Sequence, residues 1–248
     1  VSAAPLLEIE NLTLRFGQVE AAAGESLVLM PGEFVGIIGP NGAGKTTLLN
    51  LITGYLRPES GSIRFQGRPI VGLPPEVITG LGIGRSFQVP QLFASLPVLE
   101  NVLIALATPC GGDRDAWTPM VTPARERTAR ALLGQFGLQE WTERPAAELP
   151  EGGRKLLDVA LAAALRPKLL LLDEPTSGVS AEDKYPLMDT LVAVLEREGV
   201  TTAFVEHDMD VVRRYARRVV VLSEGRIIAD GPPARVLDDG RGRGFLGG

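Results

Sequence analysis

The 248 residues contain one cysteine and one histidine. A lone thiol, Cys110, excludes an intramolecular disulfide framework and any zinc site built on several cysteines. A lone imidazole, His207, excludes metal sites that rest mainly on histidine. Aromatic residues make up only 5% of the chain, and no apolar run approaches the ~20 residues that cross a bilayer. The first residues, Val1 to Leu7, show no basic segment leading into an apolar one, so no secretion signal is read there. A basic excess is missing too. With 25 Lys and Arg against 30 Asp and Glu, the formal charge is −5. That balance argues against a nucleic-acid partner, because neutralising phosphates requires a concentrated basic surface. Arg213, Arg214, Arg217 and Arg218 fall at helical spacing and read as a solvated face. The expectation is a soluble, cytoplasmic, reduced protein. Its 45% hydrophobic content is enough for one sizeable core.

Strand and helix signals alternate, which indicates an α/β class. Leu6–Phe16, Ser26–Leu29 and Ser62–Phe65 are short, roughly alternating segments bounded by Gly, Pro or polar residues, as in an antiparallel sheet. Phe34–Ile38, Leu169–Leu172 and Thr202–Val205 are continuous apolar runs, the mark of parallel strands buried on both faces. Arg218–Leu222 and Arg226–Ala229 read as two more strands around Ser223–Gly225. Helices are expected at Lys45–Thr53, Arg125–Phe136, Arg154–Leu165 and Lys184–Glu196. The stretch from about Pro90 to Pro150 lacks buried-strand runs and reads as helical. This predicts an α/β core at about 1–89 and 155–239, a helical subdomain inserted at about 90–154, and a flexible tail at 240–248. Thr108–Pro123, rich in Pro and Gly, reads as a surface loop that holds Cys110.

Two motifs carry chemistry. Gly39-Pro40-Asn41-Gly42-Ala43-Gly44-Lys45-Thr46, followed by Thr47, matches the phosphate-loop pattern in full, after a buried strand and at the start of a helix. Its glycines permit a tight curl whose backbone N–H groups face inward, and the helix N-terminus adds partial positive charge. Lys45 then reaches the terminal phosphates, and the Thr46 hydroxyl is a magnesium ligand. The second motif is Leu169-Leu170-Leu171-Leu172-Asp173-Glu174, a buried strand with two carboxylates at its C-terminal end, where α/β sheets place ligands. Asp173 would hold magnesium through its water shell. Glu174 would polarise the water that attacks the γ-phosphate. Together the motifs predict a site for a nucleoside triphosphate.

With the sequence around them, these elements resemble the nucleotide-binding subunits of ABC transporters, from Leu6 to about Leu237. The resemblance implies a P-loop NTPase (RecA-like) core with an antiparallel β subdomain and an inserted helical subdomain. It further implies ATP and Mg2+ as cofactors and Mg-dependent ATPase activity. By its place, Phe16 matches the aromatic residue that stacks on adenine. Gln88, in Arg85-Ser86-Phe87-Gln88, matches the glutamine that touches magnesium and the attacking water and leads into the permease contact. His207, in Glu206-His207-Asp208, matches the histidine that pairs with the γ-phosphate.

Two loops depart from the family pattern. The usual Leu-Ser-Gly-Gly-Gln of the signature, which caps ATP on the opposite subunit, stands here as Leu149-Pro150-Glu151-Gly152-Gly153. Pro150 has neither a hydroxyl nor a backbone N–H, and Glu151 adds negative charge. Ser177-Gly178-Val179-Ser180 replaces Ser-Ala-Leu-Asp, so Ser180 stands in for an acid. The chain's own ATP-binding residues are thus intact, while what it offers a partner's nucleotide is altered. A heterodimer with a second ABC ATPase is therefore favoured over a homodimer. Ile83–Gln88, Leu92-Phe93, Val98–Val102, Pro167-Lys168-Leu169 and Val205–Met209 resemble the importer subfamily for branched-chain amino acids and its relatives for urea and amides. That likeness implies two integral membrane permease subunits, docked near Gln88–Val102, and indirectly a solute-binding protein. The chain would then sit peripherally on the cytoplasmic face of the membrane. The alternatives are a urea or amide importer subunit, or a nucleotide-gated subunit that hydrolyses weakly because of its signature.

Overall fold

The computed structural model describes residues 4–108 and 119–238. Cys110, most of the expected 108–123 loop and the tail expected at 240–248 lie outside the described residues.

β1 (Leu7–Phe16) and β2 (Val19–Leu29) form an antiparallel hairpin. Gly17, at φ 63, supplies the left-handed conformation that so short a connection needs. β3 (Phe34–Ile38) is buried throughout and leads to α1 (Lys45–Ile52), β4 (Ser60–Phe65) and β5 (Arg68–Pro69). Then come α2 (Pro75–Leu81), β6 (Ile83–Ser86), α3 (Val98–Ala107), α4 (Pro123–Gln135) and α5 (Glu151–Ala164). β7 (Leu169–Asp173), α6 (Ala181–Arg197), β8 (Thr201–Val205) and α7 (Met209–Tyr215) follow. The described chain ends with β9 (Arg218–Ser223), β10 (Arg226–Gly231) and α8 (Pro233–Asp238).

The chain divides into two compact units, one of Val1–Ile78 with Thr201–Gly248 and one of Thr79–Val200. In the first, β2-β1-β4-β5 make an antiparallel sheet. Beside it, β10, β9, β3 and β8 are ordered with β3 parallel to both β8 and β9, and β10 antiparallel on the outside. Val35, Ile37, Ile38, Phe204, Val205 and Val219 are fully buried, and the Phe34 and Phe204 rings lie 5.2 Å apart. Parallel registration brings the C-terminal ends of β3 and β8 together, with Ile37 opposite Val205. The loops that leave those ends carry Gly39–Lys45 and His207.

Two expectations change in this unit. β2 begins at Val19 rather than Ser26. Glu20 to Gly24 are too small and polar to alternate, but pairing with β1 holds them in the strand, as at Arg15↔Glu20 and Thr13↔Ala23. Arg218 does not share a helical face with Arg213 and Arg214; it begins β9. Its guanidinium makes two 2.6 Å bonds to the Asp230 carboxylate and a further contact of 3.1 Å to Glu33. This raises its pKa, chiefly through the hydrogen bonds to Asp230.

In the second unit, β6 and β7 pair in parallel, with Ile83 opposite Leu169 and Ser86 opposite Leu172. All of β7 is buried. β6 has no counterpart among the sequence expectations, because Gly84, Arg85 and Ser86 break any apolar run. α3, α4 and α5 pack on one another through Leu99, Val102, Leu103, Ala129, Leu133 and Leu157, all buried. α5 starts at Glu151, three residues before the expected Arg154. α6 starts at Ala181, capped by Ser180, whose side chain accepts from the Asp183 N–H. It runs through Pro186, giving up one backbone hydrogen bond there.

Candidate nucleotide-binding site

The loop after β3 curls because three glycines take up conformations closed to other residues. Gly39, Gly42 and Gly44 have φ of 154, 79 and 102. A Cβ on Gly39 would lie 2.1 Å from the Leu222 carbonyl oxygen, and one on Gly44 2.5 Å from that of Ala21. The curl is therefore pinned against backbone on both sides. Gly44 is the N-cap of α1 and no side chain caps the helix, so its first N–H groups remain available for an anion. Lys45 is buried, and its Nζ donates to the carbonyl oxygens of Gly39 at 2.7 Å and Pro40 at 2.9 Å. The ammonium thus lies along the inside of the curl. Asn41 and Thr46 are exposed at its rim, and Ala43 is buried beneath it.

In the same unit, Glu206 continues the pairing of β8 with its N–H on the Ile37 carbonyl. His207 follows, exposed, with its own N–H on the Glu206 carboxylate at 3.1 Å. Phe16, at the end of β1, is 52% exposed, an aromatic surface that local packing does not require. Glu25 of β2 is an unexpected neighbour of the curl. It is 1% exposed, neither carboxylate oxygen has a hydrogen-bond partner, and Oε1 lies 3.6 Å from where a Gly44 Cβ would be. Burial pushes its pKa up to about 8, so the group is mostly neutral at pH 7.

In the second unit, β7 delivers Asp173 and Glu174. Asp173 is buried, and its Oδ2 accepts a 2.7 Å bond from Arg85 Nη2 on the paired strand β6. Sequence reasoning missed Arg85 as a site residue; its position beside Asp173 appears only once β6 and β7 are registered. Glu174 has φ 52, an uncommon and costly conformation for a residue with a side chain. Its Oε2 accepts a 2.8 Å bond from Gln88 Nε2. The two residues expected to act on the attacking water are thus brought together.

Thr46 and Asp173 offer hard oxygen donors of the kind magnesium takes. The described residues hold no group of three acidic, histidine or cysteine side chains fit for a metal. Magnesium does not need such a group, since it commonly takes most of its ligands from phosphate and water.

The altered signature is the first turn of a helix rather than a free loop. Pro150 is the N-cap of α5 with no side-chain cap, and Glu151, Gly152 and Gly153 are the first helical residues. A proline at the cap loses no helical hydrogen bond, but it has no hydroxyl to accept from the first N–H groups of α5. The Glu151 carboxylate lies 3.5 Å from Arg154 Nη1, which offsets part of its charge. Arg154 also donates to the carbonyls of Leu149 and Ala147.

A glycine curl at the mouth of a helix, fed by a buried parallel strand, defines a P-loop nucleotide-binding protein of the α/β class. The chain belongs to the ABC transporter family, whose model matches residues 23–177. It is 35% identical over 242 residues to the high-affinity branched-chain amino acid transport ATP-binding protein BraF of Pseudomonas aeruginosa, covering 95% of this chain and 94% of that one. It is 33% identical over 248 residues to the corresponding protein LivG of Escherichia coli strain K12, with the same coverage. A crystal structure of an ATP-binding cassette of an ABC transporter in its ADP conformation superposes with a TM-score of 0.88 at 31% identity, covering 99% of this chain and all of that one. The chain is thus an ATP-binding cassette of the kind that powers transport, with the expected P-loop NTPase fold. No described helix is long and apolar enough to cross a membrane.

Proposed function

We propose that this chain is the magnesium-dependent ATPase subunit of an importer for branched-chain amino acids. The observation that carries the ATPase reading is the curl itself: three glycines at positive φ, an uncapped helix N-terminus and Lys45 laid along the inside. In this reading the N–H groups from Gly42 to Thr47 and the Lys45 ammonium hold the β- and γ-phosphates, and Phe16 stacks on the base. Thr46 and Asp173 serve the magnesium, which neutralises phosphate charge when bound. Glu174 accepts the proton of the water that attacks the γ-phosphate, Gln88 orients that water, and His207 donates to the γ-phosphate as its charge grows.

The amino-acid assignment rests on relatives named for that solute, since an ATPase subunit does not touch the cargo. Two permease subunits and a solute-binding protein complete the proposed system, with this chain on the cytoplasmic face. Val89 and Phe93, just after Gln88, are 69% and 54% exposed and suit an apolar permease contact. Pro150 favours a heterodimer: this chain supplies the working Asp173–Glu174 half, and a second ATPase supplies an ordinary signature. The alternative, in which two copies of this chain face each other, makes it a weakly hydrolysing, nucleotide-gated subunit.

The test is uptake of radiolabelled leucine, isoleucine and valine by cells lacking the chain, complemented with the wild type or with Lys45→Ala. Wild type restores uptake and the variant does not. Restored uptake of urea or a short amide instead would reassign the solute. Hydrolysis that persists after magnesium is chelated would refute the metal requirement.

A further inference from the structure

Gln88 and Glu174 meet in a place where neither local backbone is regular. Phe87 to Phe93, after β6, contains no helix or strand, and Glu174 has left β7 in a left-handed conformation. Something must hold two irregular segments in register for a 2.8 Å contact between their side chains. The answer lies on α5. Lys155, 3% exposed, donates its Nζ to the Gln88 carbonyl and, at 3.2 Å, to the Glu174 carbonyl. One turn further, Asp158, 6% exposed, accepts the Phe87 N–H at 3.0 Å and the Gln91 N–H at 3.1 Å. Burial raises the Asp158 pKa to about 6, against the lowering effect of these two N–H groups and Lys155.

We infer that Lys155 and Asp158 are positioning residues, which set the Gln88 amide against the Glu174 carboxylate by gripping the backbone on both sides of Gln88 and at Glu174. The inference rests on the ATPase reading and deepens it.

Three physical points support it. Burying an ionisable side chain costs desolvation, so the presence of two on one helix turn calls for a geometric role. The grip takes only backbone atoms, which leaves the side chains of Gln88 and Glu174 available for chemistry. And α5 is the helix whose first turn is Glu151–Gly153. A shift of that turn would therefore move Gln88 and Glu174 with it, coupling the surface offered to a partner's nucleotide to this chain's own hydrolysis.

The test uses the full chain as Lys155→Met, Lys155→Arg and Asp158→Asn. Asparagine keeps the shape but has one acceptor atom for two N–H groups. Lys155→Met lowers kcat by roughly 10- to 100-fold, the scale set by small misplacements of catalytic groups, with ATP affinity within about twofold of wild type. Lys155→Arg recovers part of that loss, and Asp158→Asn lowers kcat by a smaller factor. In a Gln88→Ala background, Lys155→Met adds little, because both changes remove the same arrangement. Amide exchange at Phe87 and Gln91 quickens in Asp158→Asn. Unchanged kcat in folded Lys155→Met, or ATP binding lost together with hydrolysis, overturns the inference. A wild-type chain that binds ATP without hydrolysing it defeats the ATPase reading instead, and amide exchange then decides the grip by itself: unchanged protection in Asp158→Asn refutes it.

Discussion

Replacing Glu25 by glutamine separates a charge effect from a packing effect at one buried position. The native carboxyl has no hydrogen-bond partner, and burial lifts its pKa from 4.5 to about 8. In the unfolded chain the group ionises near 4.5. Between these values the native state holds a proton that the unfolded state has released, so stability falls as pH rises across the window and levels off above about 8. The slope is about 1.4 kcal/mol per pH unit and the full span about 5 kcal/mol, an upper bound because a real interior relaxes around a charge. Glu25→Gln keeps the volume and removes the titration. Its stability relative to wild type should rise by about 3 kcal/mol from pH 5.5 to 7.5, or roughly 6–12 °C in Tm for a chain of this size. Thermal melts of both proteins over that range test this, and differencing cancels the contributions of every other group. Parallel Tm curves would show that Glu25 ionises in the folded protein much as it does in water, and the reasoning from burial would fail.

Three further outcomes follow from the site. Lys45→Ala weakens ATP binding by roughly 10- to 150-fold, the worth of one charge-assisted interaction; a fluorescent-nucleotide titration measures it, and unchanged affinity would remove Lys45 from the phosphates. Glu174→Gln retains ATP binding but slows hydrolysis by roughly 10²- to 10⁴-fold, read as phosphate release; near-normal turnover would show that another group takes the proton. Pro150→Ser returns a hydroxyl to the N-cap of α5, adding about 1 kcal/mol of stability and raising turnover at the site it faces roughly tenfold or more; a gain in Tm with unchanged turnover would confine the residue to helix capping.

The parts of the molecule visible in the sequence are those whose demands fall on adjacent residues. A strand buried on both faces is apolar at most of its positions, so β3, β7 and β8 stand out as runs. The phosphate curl needs glycine, lysine and threonine within eight consecutive places, so its chemistry is written contiguously. β6 escapes that logic. Arg85 and Ser86 are polar in a strand whose neighbour is apolar up to its last residue, Asp173, and Arg85 is tolerated because that carboxylate meets the guanidinium at 2.7 Å. That compensation becomes visible only when two distant segments are paired. Lys155 and Asp158 are hidden for a stronger reason: their partners are backbone groups 19 to 71 positions away, and a backbone atom leaves no residue preference to read.

Glu25 differs from these, because the signal was present. Side chains in a strand alternate between faces, so Glu25 shares its face with Leu27 and Leu29, both buried. Starting β2 at Ser26 leaves out the one residue whose placement on that face is chemically costly. A carboxylate in phase with two buried leucines, close in sequence to a phosphate loop, marks a strand that extends further toward the N-terminus. The polar break that interrupts the apolar pattern is then a titrating group inside the core. Strand limits set by the last apolar residue will therefore tend to discard buried acids, the residues most able to make folding depend on pH.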